Sequence, residues 1–89
     1  MIYDKINFTK NFEKQLAKAR PQVANKFYEQ LRIFEVRPHD PMLNNHALKG
    51  QYQGFRSINV TGDVRALYFR DQGKVIFFAY IGTHSQLYG

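Results

Sequence analysis

The residues best suited to chemistry lie in the second half of the chain, near the ends of predicted strands. They are His46, Lys49, Arg56, Asn59, Asp63, Arg65, His84 and Tyr88. Histidine and aspartate can act as acid or base, and an arginine guanidinium can hold a phosphate through two parallel hydrogen bonds. Cleavage of RNA by its own 2′-hydroxyl needs a base, a cation at the crowded phosphate and an acid for the leaving 5′-oxygen. A tyrosine ring can stack on an unpaired base.

Each of these residues also has an ordinary structural interpretation. Asp63 lies in a predicted turn, where aspartate often only caps backbone groups. Arg56 and Arg65 could be surface cations of a strand, and Arg56 could pair with Asp63. His84 could be structural, and His46 could be a bystander in its loop, although loops often carry function. Residue types and spacing alone therefore indicate a basic domain that binds RNA or another partner.

Several catalytic signatures are missing from the sequence. It contains no GxxxxGK[ST] phosphate loop, no GxGxxG and no GxSxG. The three histidines, His39, His46 and His84, lack the close spacing of a metal site, and no cysteine supplements them. Without cysteine, a disulfide scaffold and a thiol nucleophile are also excluded. We expect no metal site.

Composition sets the class of the molecule. The 89 residues are enough for one domain, and 44% hydrophobic and 16% aromatic residues argue against disorder. The net charge of +6 favours a polyanionic partner, nucleic acid first, although an acidic protein or simple solubility would also explain it. No apolar run approaches the roughly 20 residues that span a bilayer. The N-terminal segment MIYDKINFTK lacks the apolar stretch of a signal peptide, so we expect the cytoplasm and no membrane partner.

A helical first half and a strand-rich second half must position these residues. Thr9 suits the N-cap of a first helix, and Pro21 suits the first turn of a second. The predicted elements are a strand over Ile2–Phe8, helices over Lys10–Ala19 and Pro21–Val36, a loop over Arg37–Gly50 with room for a helical turn, strands over Gln51–Val60, Val64–Arg70 and Lys74–Ile81, and a polar tail over Gly82–Gly89. The order β-α-α-β-β-β predicts an α+β fold, with two N-terminal helices packed on a mainly antiparallel sheet.

Three segments of the second half resemble one branch of a bacterial toxin family. The segment HALKGQYQGFR, from His46 to Arg56, is similar to the H-x-L-x-G-x-[WY]-x-G-[YF]-R segment of the YafQ branch of RelE-type toxins. GDVRALY, starting at Gly62, resembles the following strand, a pattern also found in ParE-type toxins. GTHSQLY, starting at Gly82, resembles the more specific G-[ST]-H-S-[DEQ]-L-[FY] ending of that branch.

This resemblance implies a single RelE-like domain over residues 1–89 and a function. Such toxins of type II toxin–antitoxin systems are ribosome-dependent mRNA endonucleases, or mRNA interferases, which cut the codon in the A site and leave a 2′,3′-cyclic phosphate. They need neither a metal nor an organic cofactor. The implied partners are a cognate antitoxin protein, the ribosome with its A-site mRNA, and operator DNA only through the antitoxin complex.

The resemblance also implies roles for individual residues. His84 matches the catalytic histidine and would be the general acid, with Asp63 or His46 as general base. Arg56 and Arg65 would stabilise the phosphate. Three other residues would bind the substrate: Tyr88, Lys49 and Asn59. Of these, Tyr88 would stack on a base.

Three positions depart from the branch. Asn59 stands where the branch often has a histidine, so it can hydrogen-bond but not titrate. Val64 stands where a tryptophan is frequent, which removes a stacking surface. Arg65 occupies a position where RelE toxins keep a phosphate-binding arginine, whereas the YafQ branch more often has an apolar residue. These departures leave the strength of activity and the codon preference open.

Two other functions stay open at this point. A ParE-type gyrase inhibitor would share the fold and the G-D-x-R strand but not the histidine ending, and a DNA supercoiling assay would identify it. A catalytically silent relative could still bind RNA or an antitoxin. Cleaved mRNA ends on translating ribosomes would exclude that second function.

Overall fold

The secondary-structure elements follow the predicted order with two additions, a short strand and a C-terminal helix. The computed structural model describes residues 2–89. Its strands and helices are β1 (Lys5–Phe8), α1 (Lys10–Lys18), α2 (Pro21–Val36), β2 (His46–Ala47), β3 (Arg56–Asn59), β4 (Val64–Asp71), β5 (Val75–Thr83) and α3 (His84–Tyr88). The two 3-10 turns are Pro41–Leu43 and Gly50–Tyr52. Across residues 2–89, the structure has no helix long and apolar enough to cross a membrane.

The five strands form one mixed sheet in the order β1-β5-β4-β3-β2. β1 runs parallel to β5, and the other three pairings are antiparallel, which confirms the predicted α+β fold and its mainly antiparallel sheet. The pairing of β4 with β5 shifts register after Leu67, so that Leu67 faces Tyr80 while Tyr68 faces Phe78. Ala79 is therefore the extra residue of a β-bulge.

α1 and α2 cover one face of the sheet through an aromatic core. Phe12, Phe27, Phe34 and Phe78 are fully buried, and Tyr68 is 1% exposed. Their rings meet at centroid distances between 4.9 and 5.7 Å, mostly tilted or edge to face. Burying each such side chain contributes about 1.5–3 kcal/mol. This core fixes the two helices on one side, and we call the other side of the sheet the open face.

α1 also completes an edge of the sheet. β1 pairs only with the first half of β5, so the second half of β5 has no neighbouring strand on that side. Asn11 donates from Nδ2 to the carbonyl oxygen of Ala79 at 2.9 Å, and Gln15 Oε1 accepts from the backbone N–H of Ile81 at 2.9 Å. These two residues lie four apart on α1, so the helix lies alongside the edge of β5 as far as Ile81.

The prediction of a polar tail over Gly82–Gly89 was wrong. β5 continues to Thr83, and α3 follows at once. The Thr83 side chain accepts from the N–H of Gln86, and the Gln86 side chain accepts from the N–H of Thr83, which is a capping box. Leu87, 6% exposed, fastens the helix to the sheet. The sequence T-H-S-Q carries this helix-start signal, but it is short and lies at the end of the chain.

Two predicted strands were too long at their N-terminal ends. Gln51–Val60 begins instead with the 3-10 turn, and Gly54 has φ +94°, a left-handed conformation that ends any extended run, so the strand starts at Arg56. The first strand was predicted over Ile2–Phe8 and starts at Lys5.

Candidate active site

A shallow groove on the open face brings together four of the residues singled out in the sequence. Its volume is about 210 Å³, and its lining residues are His46, Leu48, Ser57, Arg65, Leu67, His84, Leu87 and Tyr88. The β4 residues Val64 and Ala66 pack into the helical core, so strand alternation turns Arg65 to the open face. The groove therefore collects side chains from β2, β3, β4 and α3, which are distant in sequence.

α3 presents His84 and Tyr88 side by side. The two residues are four positions apart, and their rings lie 4.7 Å apart between centroids at an angle of 32°. Both side chains are exposed, with Tyr88 at 41%. The imidazole of His84 can transfer a proton, and the exposed ring of Tyr88 beside it offers a surface on which a base can stack.

The C-terminal end of α3 is held by the 3-10 turn Gly50–Tyr52. Tyr52 donates its hydroxyl to the carbonyl oxygen of Leu87 at 2.5 Å, and Gln51 donates from Nε2 to the same oxygen at 3.3 Å. The Tyr52 ring also meets that of Tyr88 edge to face at 5.1 Å. Burial raises the pKa of Tyr52, with Tyr80 and Tyr88 adding to the effect, so the phenol keeps the proton that it donates. Tyr52 is thus a positioning residue for α3.

His46 comes from the edge strand β2, where it faces Ser57 across the pairing with β3. Its Nδ1 lies 2.8 Å from the carbonyl oxygen of Asn44. Because a carbonyl can only accept, Nδ1 must carry a hydrogen, and the neutral ring then has its lone pair on Nε2. This arrangement leaves Nε2 of His46 able to take a proton.

Arg65 is anchored to the turn between β3 and β4. Its Nη1 donates to the carbonyl oxygens of Thr61 at 3.0 Å and Val64 at 3.1 Å, and its Nη2 donates to that of Gly62 at 3.3 Å. A guanidinium has five N–H groups, so two remain, on Nε and Nη2. Those two share one edge of the guanidinium, which is the geometry that binds a phosphate in a bidentate way. Both ion pairs found within residues 2–89 lie elsewhere, at Lys26–Glu29 and Arg37–Asp40.

Ser57 is a groove residue that the sequence analysis missed. It is only 2% exposed, and its small side chain lines the groove together with those of the two histidines and Arg65. Its pairing with His46 and with Leu67 explains the placement. The period-two alternation of β3 puts Ser57 and Asn59 on one face, and this was the available signal.

The other four candidates do not line the groove. Asp63 is exposed in the turn after Thr61 and borders a separate cleft of about 640 Å³ between α1 and α3. Arg56 points to the helical face, where its Nε donates to Asn45 Oδ1 at 2.8 Å rather than to Asp63. Lys49 is exposed just before the 3-10 turn. Asn59 faces Arg65 across the strand pairing, but its Oδ1 is buried without a hydrogen-bond partner.

Possible metal ligands are scattered over the described part of the chain. Residues 2–89 contain no group of three or more histidine, aspartate or glutamate side chains arranged to hold a metal ion. The site that the structure does assemble is one of two imidazoles, one guanidinium, one hydroxyl and one exposed aromatic ring. Such a set can donate and accept protons around a bound phosphate.

Comparisons with known proteins agree with this fold. The family of YafQ toxins of bacterial type II toxin–antitoxin systems matches residues 4–89. The crystal structure of YafQ from E. coli strain BL21(DE3) is similar, with a TM-score of 0.80, 23% identity, and 94% of this chain and 97% of that chain covered. No curated protein matches the sequence significantly.

Two further structures are similar over nearly the whole chain. The solution structure of HP0894, a conserved hypothetical protein from Helicobacter pylori, is 31% identical, with a TM-score of 0.70 and coverage of 93% of this chain and 97% of that chain. YafQ in the E. coli DinJ–YafQ toxin–antitoxin complex is 24% identical, with a TM-score of 0.79 and complete coverage of both chains.

Proposed function

Because the chain belongs to the YafQ family of type II toxin–antitoxin toxins, which are endoribonucleases, we propose that it is an mRNA interferase acting on the ribosome. The observation that carries the proposal is the groove, in which His46, His84, Arg65 and Tyr88 converge from two strands and one helix. We propose that the codon in the ribosomal A site enters this groove and is cut there.

The first chemical step is removal of a proton from the 2′-hydroxyl. His46 is suited to this step, because its Nδ1 is committed to the Asn44 carbonyl and its Nε2 lone pair is free. The 2′-oxygen then attacks the adjacent phosphorus and forms the new 2′-O–P bond. Asp63 was the other candidate base, but it borders the cleft and not the groove. We therefore propose that Asp63 acts indirectly, by shaping the turn between β3 and β4.

The crowded phosphate is stabilised by Arg65. Its remaining Nε–H and Nη2–H can hold two phosphate oxygens, while its bonds to the turn carbonyls keep the guanidinium in place. Ser57 supplies a hydroxyl from the groove wall. Arg56, on the helical face, would support the site through Asn45 rather than touch the phosphate.

The last step is departure of the 5′-oxygen. His84 in its protonated form gives a proton to this oxygen as the 5′-O–P bond breaks, leaving a 2′,3′-cyclic phosphate and a 5′-hydroxyl. Tyr88, beside His84, stacks on a base of the codon and so places the scissile phosphate. Lys49 is exposed outside the groove and would contact flanking substrate. Asn59, opposite Arg65 in the strand pairing, would do so through its Nδ2 amide, because its Oδ1 is buried. Every step uses side chains alone, so we propose that cleavage needs neither a catalytic metal nor an organic cofactor.

A cognate antitoxin is the second partner that we propose. E. coli YafQ is found in a complex with DinJ. We propose that a cognate antitoxin likewise forms a complex with this chain and prevents its entry into the ribosome. The chain would reach operator DNA only as part of that complex. A net charge of +6 suits an acidic antitoxin as well as RNA.

The test is primer extension on a reporter mRNA in a purified translation system, with and without the protein. We expect discrete cuts only on translated messages. Cuts on untranslated message would contradict the ribosome dependence, and an absence of cuts with folded protein would overturn the nuclease. In that second case the gyrase supercoiling assay becomes the next experiment.

A further inference from the structure

We propose that Asn45 is a positioning residue for His46 and holds that ring in the tautomer with its proton on Nδ1 and its lone pair on Nε2. Asn45 does not line the groove, so it would act on the site only through its neighbour. The consequence for catalysis rests on the proposed role of His46 as the base. The tautomer itself is a property of the free protein.

The hydrogen bond that sets the tautomer spans Asn45. Its acceptor is the carbonyl oxygen of Asn44, which precedes Asn45, and its donor is Nδ1 of His46, which follows, at 2.8 Å. Asn44 has φ +45° and ψ +48°, a left-handed conformation that asparagine tolerates better than most residues. The two atoms are separated by the backbone of Asn45, so the bond forms only for a narrow range of the dihedral angles of that residue.

The strand β2 is too short to fix those angles by itself. It has two residues, both exposed, and lies at the edge of the sheet, where it pairs on one side only. Water can therefore compete with the Asn44 carbonyl for Nδ1 of the exposed His46 ring. A free imidazole side chain in water prefers its proton on Nε2, so an unconstrained His46 would populate mainly the wrong tautomer for a base that acts through Nε2.

The side chain of Asn45 supplies the missing constraint through three hydrogen bonds. Its Nδ2 donates to the carbonyl oxygen of Pro38 and to the hydroxyl oxygen of Tyr68, each at 2.8 Å. Its Oδ1 accepts from Nε of Arg56, also at 2.8 Å. A carbonyl can only accept and a guanidinium N–H can only donate, so the amide cannot flip without losing both of these partners.

The partners of Asn45 are themselves held firmly. Tyr68 is 1% exposed, and its ring packs against Phe34 and Phe78 at centroid distances of 4.9 and 5.4 Å. Arg56 lies in β3, directly opposite Tyr68 of β4. Asn45 thus joins the segment before β2 to the aromatic core and to β3 at once. Hydrogen bonds connected in this way reinforce one another, so the position of His46 follows that of the core.

The experiment reads the tautomer of His46 from the ¹⁵N chemical shifts of its ring at about pH 8.5, where an imidazole of ordinary pKa is neutral. The test variants are Asn45→Ala and Asn45→Asp. The second has the same shape and keeps an acceptor for Arg56, but it cannot donate to Pro38 or Tyr68. Thermal unfolding checks that each variant folds.

The matched control is Asn11→Ala. It deletes another amide that donates to a backbone carbonyl, that of Ala79 at 2.9 Å, beside β5 and three strands away from β2. It should lower stability and leave the His46 tautomer as in the wild-type protein. The control therefore separates a positioning effect from a general loss of stability.

We expect the Nδ1–H form to predominate in the wild-type protein. Both Asn45 variants should lower the ratio of Nδ1–H to Nε2–H roughly fivefold, which is the effect of about one net hydrogen bond, and should slow single-turnover cleavage on saturating ribosomes by up to that factor.

A wild-type ring with its proton on Nε2 would overturn the proposal. So would an unchanged ratio in the folded Asn45 variants, or an equal change in Asn11→Ala. A ratio that falls without any loss of cleavage would contradict the consequence for catalysis. A tautomer that depends on Asn45, in a wild-type protein that cuts no message, would contradict the proposed nuclease alone.

Discussion

Tyr52→Phe tests whether the 3-10 turn positions α3, the helix that carries His84 and Tyr88. The change deletes the hydroxyl that donates to Leu87 O at 2.5 Å and keeps the ring that meets Tyr88 and Tyr80 at 5.1 and 5.3 Å. The Leu87 oxygen keeps the Gln51 amide at 3.3 Å, so no acceptor is left without a partner. Loss of one such hydrogen bond costs about 1 kcal/mol.

In a domain of this size, about 1 kcal/mol lowers the melting temperature by roughly 4–8 °C. If this loss of about 1 kcal/mol affects only the packing of α3 on the sheet, it changes the equilibrium between packed and detached α3 by a factor of about 5. The rate of cleavage should then fall by up to that factor. The assays are calorimetry, amide hydrogen exchange of α3 and single-turnover cleavage on programmed ribosomes.

Tyr80→Phe is the matched control, since its ring packs in the same aromatic group. We expect its change in unfolding free energy to stay below about 0.5 kcal/mol, the range of an uncritical surface substitution. An α3 exchange rate and a cleavage rate unchanged by Tyr52→Phe, or changed equally by both variants, would refute the positioning role.

His84, Arg65 and Tyr68 are three further positions at which substitution gives a measurable outcome. His84→Gln should lower the rate of single-turnover cleavage by about 10²–10⁴-fold, as expected for loss of a general acid, while the unfolding free energy changes by less than about 0.5 kcal/mol. Retained cleavage would contradict the role of His84 as the general acid. Arg65→Gln should weaken RNA association and flatten its salt dependence, measured by fluorescence titration at several salt concentrations, and an unaltered salt slope would count against a phosphate contact. Burial raises the pKa of Tyr68, so the folded state holds this proton more tightly than the unfolded state; stability should be constant below the ordinary tyrosine pKa of about 10 and fall as the pH rises above it. Urea unfolding at pH 8 and 11 should show that Tyr68→Phe loses less unfolding free energy at the higher pH than the wild-type protein does. An equal loss in the two proteins would contradict the assignment of this pH dependence to Tyr68.

Most of the fold was predictable because its signals are local. Thr9, Pro21 and the apolar spacing of Phe12 and Phe27 define the two helices, and the structure confirms their positions within a residue. The parallel pairing of β1 with β5 was not predictable, since nothing in either strand specifies a partner so distant in sequence.

The groove was predictable only in part, because strand register decides which side chains share a face. His46, Arg65, His84 and Tyr88 were all identified from the sequence, and the structure brings them together. Ser57 was missed, because a lone serine in a strand carries no chemical signal until its neighbours are known.

Arg56 and Asp63 are two candidate site residues that the structure places outside the groove. Both stand in segments that resemble the toxin family, yet strand alternation turns Arg56 to Asn45 on the helical face. The turn leaves Asp63 in the cleft beside α1. Their direct participation in catalysis stays a prediction. Substitution of Asp63 by asparagine and of Arg56 by lysine would test it.

In the proposed mechanism, the 2′-hydroxyl of the RNA itself attacks the scissile phosphate in the groove. The most direct measurement is single-turnover cleavage on ribosomes programmed with an mRNA that carries one 2′-deoxynucleotide immediately 5′ of the scissile phosphate. We predict that this message is not cut, while the all-ribose message is cut to a 2′,3′-cyclic phosphate and a 5′-hydroxyl. Cleavage of the deoxy-substituted message at the normal position and rate would contradict the account.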